Sequence, residues 1–473
     1  MLEVDLFSFD LGAVVAPAGC GKTHLIAETI KHYSGTKPLL ILTHTNAGVV
    51  ALRGRLDAAG VPTSNFRLST IDGWAIRLVS TFPVRSSLNP ELLKLSSPAT
   101  DYPNIRAAAV RLVRDNHIGD VLKASYAGLV VDEYQDCSLR QHALIAFAST
   151  VLPTRVLGDP LQAIFGFGQD GLANWDGQVC ARFPVRGQLA TPWRWINAGN
   201  ESLGRWLLEI RQALLRGDPI DLQSAPNTVR WVELNGADDH ARRLEAARVR
   251  APNDDGRVLI IGESTSPESQ RRFASQTPGA VTVEAVDLRD LVSFARSFDL
   301  ASTNALQKAL QFAESVMTNV GGNELLRRLA SIRTGTARNP PTVTELAAQR
   351  FSSEPSHSAA VDLLVELGKQ AGVRTYRPAV LRSCIKALNL CRGTHGLSFY
   401  DAAIRMREQN RLVGRPLPKR AVGSTLLLKG LEADISVILN AADLNSRNLY
   451  VAMTRGSRGL VVCSPTAILR PRD

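Results

Sequence analysis

Residues 16–23, with the sequence APAGCGKT, place two glycines, a lysine and a threonine directly after the apolar run 12–15. A strand, a tight glycine turn and a helix N-terminus leave backbone N–H groups unpaired and directed at one point, which suits an anion. Lys22 can reach β- and γ-phosphate oxygens, and the hydroxyl of Thr23 can bind Mg²⁺. The alternative is a glycine-rich turn that opens an ordinary helix. The stretch predicts a nucleotide phosphate site formed by Ala16, Pro17, Ala18, Gly19, Cys20, Gly21, Lys22 and Thr23.

A second stretch whose residues could take part in chemistry is AGLVVDEYQD at 127–136. There an apolar strand ends in two adjacent carboxylates, Asp132 and Glu133. Neighbouring side chains of a strand alternate, so we expect these two to point to opposite sides. One can hold the Mg²⁺ shell while the other orients and deprotonates a water, as nucleoside triphosphate hydrolysis requires. Such a pair alone is usually a solvated turn, but beside a phosphate site it predicts a hydrolytic centre.

The elements that must position these residues are short, β-branched apolar runs separated by helical stretches, a pattern typical of buried parallel strands. The runs form two series, at 12–17, 38–43, 128–131 and 155–158, and at 257–262, 435–439 and 459–463. They predict two α/β sheets. Residues 266–420 are predicted to be a mostly helical insertion, and about 80–125 a smaller one.

Composition limits the class of protein. The chain has 473 residues, of which 45% are hydrophobic and 21% charged, as in soluble globular proteins. An acidic N-terminus and the absence of an apolar run of about 18 residues predict a cytoplasmic protein with no membrane association. The six cysteines are scattered, so disulfides and structural zinc are not expected.

The net charge of +11 is concentrated in one part of the chain. Residues 300–420 contain eighteen Lys or Arg against eight Asp or Glu, which accounts for nearly all of the excess. Such a block favours polyanions through counterion release, although Arg-rich helix faces are as often merely solvated.

Several stretches also carry a family resemblance. DEYQD at 132–136 and GDPLQAIF at 158–165 look like motifs II and III of superfamily 1A helicases of the UvrD/Rep/PcrA type. Other stretches resemble the remaining motifs in family order, namely LTHTNA at 42–47, STIDGW at 69–74, TPWR at 191–194, KGLE at 429–432 and LYVAMTR at 449–455. The resemblance covers residues 12–200 and 420–465, and the middle of the chain only by position.

The resemblance implies ATP and Mg²⁺ as cofactors and a role for each matching residue of the hydrolytic centre. Lys22 and Thr23 are the implied phosphate and Mg²⁺ ligands, Asp132 the metal carboxylate and Glu133 the general base. Gln162 is the implied sensor of the γ-phosphate.

Two arginines from distant motifs, Arg194 and Arg455, are implied to stabilise the charge on the transferred phosphoryl group. Trp193 stands where the family places an aromatic that stacks on adenine. The alternative for Trp193 and Trp195 is that they are aromatics of the core. The alternative for Arg455 is that its anionic partner is a structural carboxylate instead of a phosphate. The implied nucleotide contacts of motif V are Gly430 and Glu432.

Single-stranded DNA is held in such proteins by backbone contacts and stacked aromatics, a sequence-tolerant mode of binding. The matching positions here are Thr43, Thr45, Asn46, Thr70, Trp74, Phe165 and Phe167. Each phenylalanine has burial in the core as its alternative.

The predicted fold class is α/β, with two RecA-like P-loop domains that have parallel sheets. Residues 1–195 are the predicted first domain, with the small insertion at about 80–125. Residues 196–265 and 421–473 are the second, and residues 266–420 are its helical, basic insertion.

The leading functional hypothesis is an ATP-dependent helicase or translocase that moves 3′ to 5′ on single-stranded or tailed duplex DNA. The alternative is a regulatory subunit that senses DNA or nucleotides and controls a partner nuclease, similar to small helicases of bacterial antiphage systems. Short insertions favour the alternative, as does the small number of residues before the first strand, where the family has an adenine-reading glutamine.

Overall fold

The structure is a computed structural model that describes residues 2–166, 170–263, 265–285, 287–394, 396–412 and 418–472, with only the backbone at 411 and 412. The chain divides into two compact units. The first unit comprises Met1–Glu233 and Ala441–Asp473, and the second comprises Leu234–Asn440. The domain limits predicted at 195, 265 and 420 stay a prediction.

The described strands are, in chain order, β1 (Leu11–Val15), β2 (Leu39–Thr43), β3 (Phe66–Thr70), β4 (Gly128–Val131), β5 (Thr154–Gly158), β6 (Val185–Gln188), β7 (Ile220–Asp221), β8 (Val229–Glu233), β9 (Val258–Ile261), β10 (Val281–Thr282), β11 (Met317–Thr318), β12 (Arg374–Thr375), β13 (Arg420–Gly423), β14 (Ala433–Ile438), β15 (Gly456–Ser464) and β16 (Ile468–Leu469).

The described α-helices of the first unit are α1 (Lys22–Lys31), α2 (Asn46–Ala58), α3 (Ile71–Thr81), α4 (Pro83–Ser86), α5 (Pro98–Arg114), α6 (Gly119–Ser125), α7 (Leu139–Ala148), α8 (Cys180–Arg182), α9 (Trp193–Asn197) and α10 (Glu201–Arg216). Those of the second unit are α11 (Asp239–Ala247), α12 (Pro267–Gln276), α13 (Arg289–Ser297), α14 (Ala305–Val316), α15 (Gly322–Arg333), α16 (Val343–Ser353), α17 (His357–Lys369), α18 (Pro378–Gly393), α19 (Phe399–Leu412) and α20 (Thr425–Leu428). Helix α21 (Ser446–Met453) belongs to the first unit.

The first unit is built on a six-stranded sheet in the order β3-β2-β4-β5-β1-β6, in which every neighbouring pair is parallel. Strands β2 and β4 are apolar and fully buried, as expected for central strands covered on both faces. Because the strands are parallel, the residues that follow β1, β2, β3, β4 and β5 all lie at one edge of the sheet, where ligands of such folds bind. This edge carries the predicted phosphate site and both carboxylates.

The second unit has four parallel strands in the order β10-β13-β9-β14. Helices α13 to α19 pack around a separate apolar core that includes Leu291, Leu310, Phe351 and Leu388. In the first unit, β8 and β15 also pair in parallel. The chain is therefore an α/β protein with parallel sheets, and the predicted fold class is confirmed.

The apolar runs located most of the central strands, but weaker patterns hid others. Strands β1, β2, β4 and β5, and later β9, β14 and β15, fall within one to three residues of the predicted runs. Strands β3, β6, β8 and β13 were not predicted, because their sequences mix polar and apolar residues and their burial is incomplete or one-sided.

All six cysteines are free. Among the described helices, none has both the length and the apolar character needed to cross a bilayer.

Candidate active site

The loop between β1 and α1 depends on two glycines with left-handed backbone conformations. Gly19 has a φ of 73° and Gly21 a φ of 83°, a region that other residues rarely adopt. A Cβ atom on Gly19 would lie 2.4 Å from Cζ3 of Trp195, and one on Gly21 would lie 3.0 Å from Cδ1 of Trp193. Glycine is therefore required at both positions, by conformation and by the close approach of α9.

The same loop is anchored by backbone hydrogen bonds and keeps its side chains inward. The N–H of Ala16 donates to the carbonyl of Gly158 at 2.8 Å, and the N–H of Arg194 donates to the carbonyl of Gly19 at 3.0 Å. Ala16, Ala18 and Cys20 are buried, as is Pro17. The loop therefore presents backbone outward, followed by the first turn of α1, whose N–H groups have no partner within the helix.

Lys22 lies between the two carboxylates that follow β4. Its Nζ is 2.8 Å from Oδ1 of Asp132 and 2.6 Å from Oε1 of Glu133. Burial disfavours the ammonium, but the two carboxylates outweigh it and raise the pKa of Lys22, so this side chain stays charged. Burial raises the pKa of Asp132, and the Lys22 ammonium limits that rise. The arrangement is a compact triad with one positive and two negative groups.

The expectation that Asp132 and Glu133 point to opposite sides is wrong. Strand β4 ends at Val131, and Glu133 has a φ of 56°, so the alternation of the strand does not continue through the pair. Both carboxylates therefore reach the same lysine. A non-glycine residue held in this conformation stores strain, as is common at functional sites.

The donor set fits a phosphate with Mg²⁺. Thr23 is the second residue of α1 and is half-buried, one position from Lys22. Within the described ranges, no group of three or more His, Cys, Asp or Glu side chains is placed to hold a metal ion. A magnesium ion on Asp132 and Thr23 would need phosphate oxygens as further ligands, which is how such sites usually hold it.

Gln162, which follows β5, is connected to the same site. Its side chain is buried and donates from Nε2 to Oδ2 of Asp159 at 3.2 Å. The N–H of Asp159 donates to Oε1 of Gln135 at 3.1 Å, and Nε2 of Gln135 donates to Oε2 of Glu133 at 2.5 Å. Gln135 was quoted within DEYQD but was not predicted as a site residue. Its amide joins the residues after β4 to those after β5.

The two tryptophans around Arg194 have different environments. Trp195 is 1% exposed and donates from Nε1 to the carbonyl of Gly456 at 2.9 Å, so its alternative as a core aromatic is correct. Trp193 is 45% exposed beside Gly21, so core burial does not describe it. An exposed aromatic next to the loop is available for stacking.

Arg194 and Arg455 both contact Thr454. Nη1 of Arg194 donates to the carbonyl of Thr454 at 2.6 Å, and its guanidinium lies 5.4 Å from the ring centre of Trp195. Arg455 is 3% exposed and donates from Nη2 to Oγ1 of Thr454 at 3.3 Å and from Nε to the carbonyl of Val451 at 2.9 Å. The structure thus brings the two predicted arginines to one residue of the first unit.

Tyr450 is a further neighbour of the loop that the sequence did not single out. The N–H of Ala18 donates to its hydroxyl at 3.2 Å, and the ring is 1% exposed. Burial raises the pKa of Tyr450 well above its usual value, so the hydroxyl stays neutral.

Gly430 and Glu432 belong to the second unit, where Gly430 has a φ of 80° after α20.

The predicted DNA-contacting residues divide by exposure. Asn46 is exposed, and Phe165 is half-buried with its ring centre 5.3 Å from that of His44. The half-buried Thr45 and Thr70 are N-caps whose hydroxyls accept the N–H groups of Gly48 and Gly73.

Two of the predicted DNA contacts are buried in the structure. Trp74 is 0% exposed within the apolar core of the first unit, and Thr43 is 1% exposed. Trp74 therefore has no free face for a base, and its prediction as a stacking residue is wrong for this conformation. Phe167 lies outside the described residues.

Comparison with known proteins places the first part of the chain. Residues 6–168 match a family model described as an AAA domain. An ATP-dependent helicase/nuclease subunit of Lacticaseibacillus casei is 27% identical over a match that covers 27% of this chain and 13% of that protein. The protein of the same name from Lacticaseibacillus paracasei gives the same values. The chain thus matches a small part of the length of these relatives.

Two solved structures of the arterivirus nonstructural protein 10 helicase are also similar. The complex with DNA is 13% identical with a TM-score of 0.28, covering 56% of this chain and 50% of that chain. The other is 10% identical with a TM-score of 0.31, covering 98% and 61%. Residues 6–168 are therefore similar to an AAA domain, and the ordered motifs resemble those of superfamily 1 helicases of the UvrD/Rep type.

Proposed function

We propose that this chain is a DNA-stimulated ATPase that moves 3′ to 5′ along single-stranded DNA and separates duplex. The observation that carries the proposal is the convergence of Lys22, Asp132 and Glu133 beside a loop built for an anion. The direction of movement is taken from the helicases that the motifs resemble.

Binding falls to the loop and to the start of α1. The outward backbone of the loop and the Lys22 ammonium would take the β- and γ-phosphate oxygens, and Lys22 would leave its two carboxylates to do so. Thr23 and Asp132 would hold Mg²⁺, which neutralises phosphate charge when bound with ATP. The exposed ring of Trp193 would stack on the base.

Exposure assigns different roles to the two carboxylates. The side chain of Asp132 is 8% exposed, whereas that of Glu133 is 33% exposed, so water reaches Glu133 more readily. Once Lys22 turns to phosphate, the Oε1 atom of Glu133 is released to accept a proton from the attacking water. Its other oxygen remains held by Gln135, which fixes the orientation of the carboxylate.

Stabilisation of the transferred phosphoryl group falls to Gln162, Arg194 and Arg455. The two arginines already lie together at Thr454, and the backbone of Arg194 is bonded to the loop at Gly19. Both guanidinium groups would turn from Thr454 to the phosphoryl oxygens, where cationic donors stabilise the charge that develops.

Single-stranded DNA would cross the edge of the first sheet where β2, β3 and β5 end. Asn46 is exposed there, and the rings of Phe165 and His44 form a small aromatic surface. Stacking on such a surface is independent of base sequence, which suits a protein that moves along a strand. A cytoplasmic location, where ATP and DNA are both available, belongs to the same proposal.

The test is steady-state phosphate release from ATP with and without single-stranded DNA, followed by single-turnover unwinding of 3′-tailed, 5′-tailed and blunt duplexes. We expect DNA to raise turnover and the 3′-tailed duplex to be opened first. Lys22→Ala is the matched inactive control. Hydrolysis that is indifferent to DNA would contradict a translocase.

A second candidate is a regulatory subunit that controls a partner nuclease in antiphage defence. The observation that favours it is the name of the curated relatives, which are helicase/nuclease subunits. Copurification of this chain with the product of a neighbouring gene, with nuclease activity that changes on ATP addition, would support it. Efficient unwinding by the isolated chain would favour the first proposal.

A further inference from the structure

A buried ion pair connects α10 to the residues that follow β5. Arg211, on the face of α10 that also buries Leu207 and Leu214, is 2% exposed. It donates from Nε and Nη2 to Oδ1 of Asp159 at 3.2 and 3.0 Å, and Asp159 is fully buried. Replacing a buried pair by apolar residues is often neutral or stabilising. Stability alone is therefore a weak reason for an arginine on this face.

Asp159 distributes its hydrogen bonds to residues of the hydrolytic site. Oδ1 also accepts from the N–H of Leu161 at 3.3 Å, and Oδ2 accepts from Gln162 at 3.2 Å. The N–H of Asp159 donates to Oε1 of Gln135, which turns the other end of that amide to Glu133. Asp159 thus joins two sets of hydrogen bonds, because its carboxylate binds Arg211 and Gln162 and its backbone N–H binds Gln135, which holds the proposed base.

We propose that Arg211 is a positioning residue for ATP hydrolysis. It fixes Asp159, so that Gln135 keeps the Glu133 carboxylate in one orientation and Gln162 keeps its place beside the γ-phosphate. The inference rests on the proposed ATPase function. Arginine suits the role because two donors of its planar group converge on Oδ1 of Asp159 and the group is always charged.

The position of α10 adds to this role. The helix packs against α21, the helix that carries Tyr450 and ends directly before Thr454 and Arg455. Tyr450 in turn accepts from the phosphate-binding loop at Ala18. Helix α10 therefore contacts both the helix that precedes the arginines and, through Arg211, the residues that follow β5.

The test compares Arg211→Met with Arg377→Met in the full chain. Arg377 of the second unit is also 2% exposed and also donates to a buried carboxylate, Glu284, at 2.6 and 2.9 Å, with a further hydrogen bond to Asp290. Both variants leave a buried carboxylate uncompensated, so both should lower the midpoint of urea unfolding. Arg211→Met should lower kcat for ATP about 10- to 100-fold with little change in the Kd for ATP. Arg377→Met should leave kcat within about twofold of wild type.

Two further measurements separate positioning from folding. The double variant Arg211→Met with Asp159→Asn removes both charges, so it should fold where the single variant does not and still have low kcat. In either variant the loss should appear in kcat rather than in the Kd for ATP, because the phosphate-binding loop and Lys22 are unchanged. Wild-type kcat in the double variant would overturn this inference and leave the proposed ATPase function standing. A wild-type protein without ATPase activity would overturn the proposed function and this inference together.

Discussion

The phosphate-site edge of the first unit and the basic helical region of the second unit both carry many charges, and they use them differently. At the edge, charges converge and are buried, as in the triad of Lys22, Asp132 and Glu133. In the helical region they are spread over the surface, as with Arg382 and Arg405, or satisfied by backbone carbonyls, as with Arg374. The number of charges in a segment is therefore a poorer guide to a site than their convergence.

Part of the positive charge between 300 and 420 has a structural use. Arg377 is buried with Glu284 and Asp290, and Arg328 pairs with Glu345 at 2.9 Å. Charge reversal at an exposed arginine distinguishes a polyanion surface from a solvated helix face. If convergence rather than charge number marks function, changes at the phosphate-site edge will have the larger effects.

The largest expected effect is that of Glu133→Gln. Removal of the general base should lower kcat for ATP about 10²- to 10⁴-fold, while ATP still binds. Phosphate release and equilibrium binding of a fluorescent ATP analogue measure the two quantities. Glu91→Gln, at an exposed carboxylate of the same unit, is the control. A Glu133→Gln protein with wild-type turnover would show that the convergence is not catalytic.

Lys22→Ala should lower kcat/KM for ATP about 10²- to 10³-fold, because it removes a preorganised cation from the phosphates. The control is Lys31→Ala, at the exposed end of the same helix α1. Both variants are measured by phosphate release over a range of ATP concentrations. Equal losses of kcat/KM in the Lys22 and Lys31 variants would contradict a role for Lys22 at the phosphates.

Gly19→Ala should destabilise the first unit by about 1–3 kcal/mol, since the new Cβ meets Trp195 and the φ is left-handed. Gly54→Ala is the matched control, because no atom lies within 4 Å of its Cβ position in α2. That change should stabilise by up to about 1 kcal/mol through helix propensity. Urea unfolding gives both values, and equal effects would contradict the tight approach of α9 to the loop.

A smaller effect is expected from pH. Burial, assisted by Arg182, lowers the pKa of His142, whose Nδ1 lies 2.9 Å from the hydroxyl of Tyr134. The unfolded chain therefore binds this proton more readily, so stability should fall as pH decreases through the ordinary histidine value of about 6.5. His142→Gln should reduce that fall in urea unfolding between about pH 7.5 and about pH 5.5. If the His142→Gln variant had the wild-type pH dependence, other groups would be responsible for the fall in stability.

The smallest expected effect is that of charge reversal in the basic region. Arg405→Glu on α19 should weaken DNA binding a few-fold and lower the salt slope by about 1 to 2, if this face contacts phosphates. Arg407 is partly engaged with Glu408, and Arg411 is described only by its backbone. Lys94→Glu, the same charge change at an exposed site of the first unit, is the control. Equal effects of the Arg405 and Lys94 changes on DNA binding would show that Arg405 lies on a solvated helix face.

The sequence predicted what depends on local pattern. Buried strands such as β2 and β4 are visible as apolar runs, and Gly19 and Gly21 mark a loop that other residues cannot form. The orientation of Glu133 was not predictable, since it depends on a left-handed φ after the strand.

Long-range contacts account for the rest. Arg211 and Tyr450 reach the site from segments far along the chain, and the only local signal for Arg211 is a charge on the apolar face of α10. Trp74 is an aromatic residue of the kind that stacks on bases, yet the packing of α3 and α5 buries it. Such placements follow from tertiary packing, which no short stretch encodes.

The most direct test of the central claim is an experimental structure of the wild-type chain with Mg²⁺ and a non-hydrolysable ATP analogue. The account predicts that Nζ of Lys22 leaves Glu133 for the β- and γ-phosphate oxygens and that Arg194 and Arg455 turn to the γ-phosphate. An analogue bound away from the loop, or Lys22 still held between Asp132 and Glu133, would contradict it.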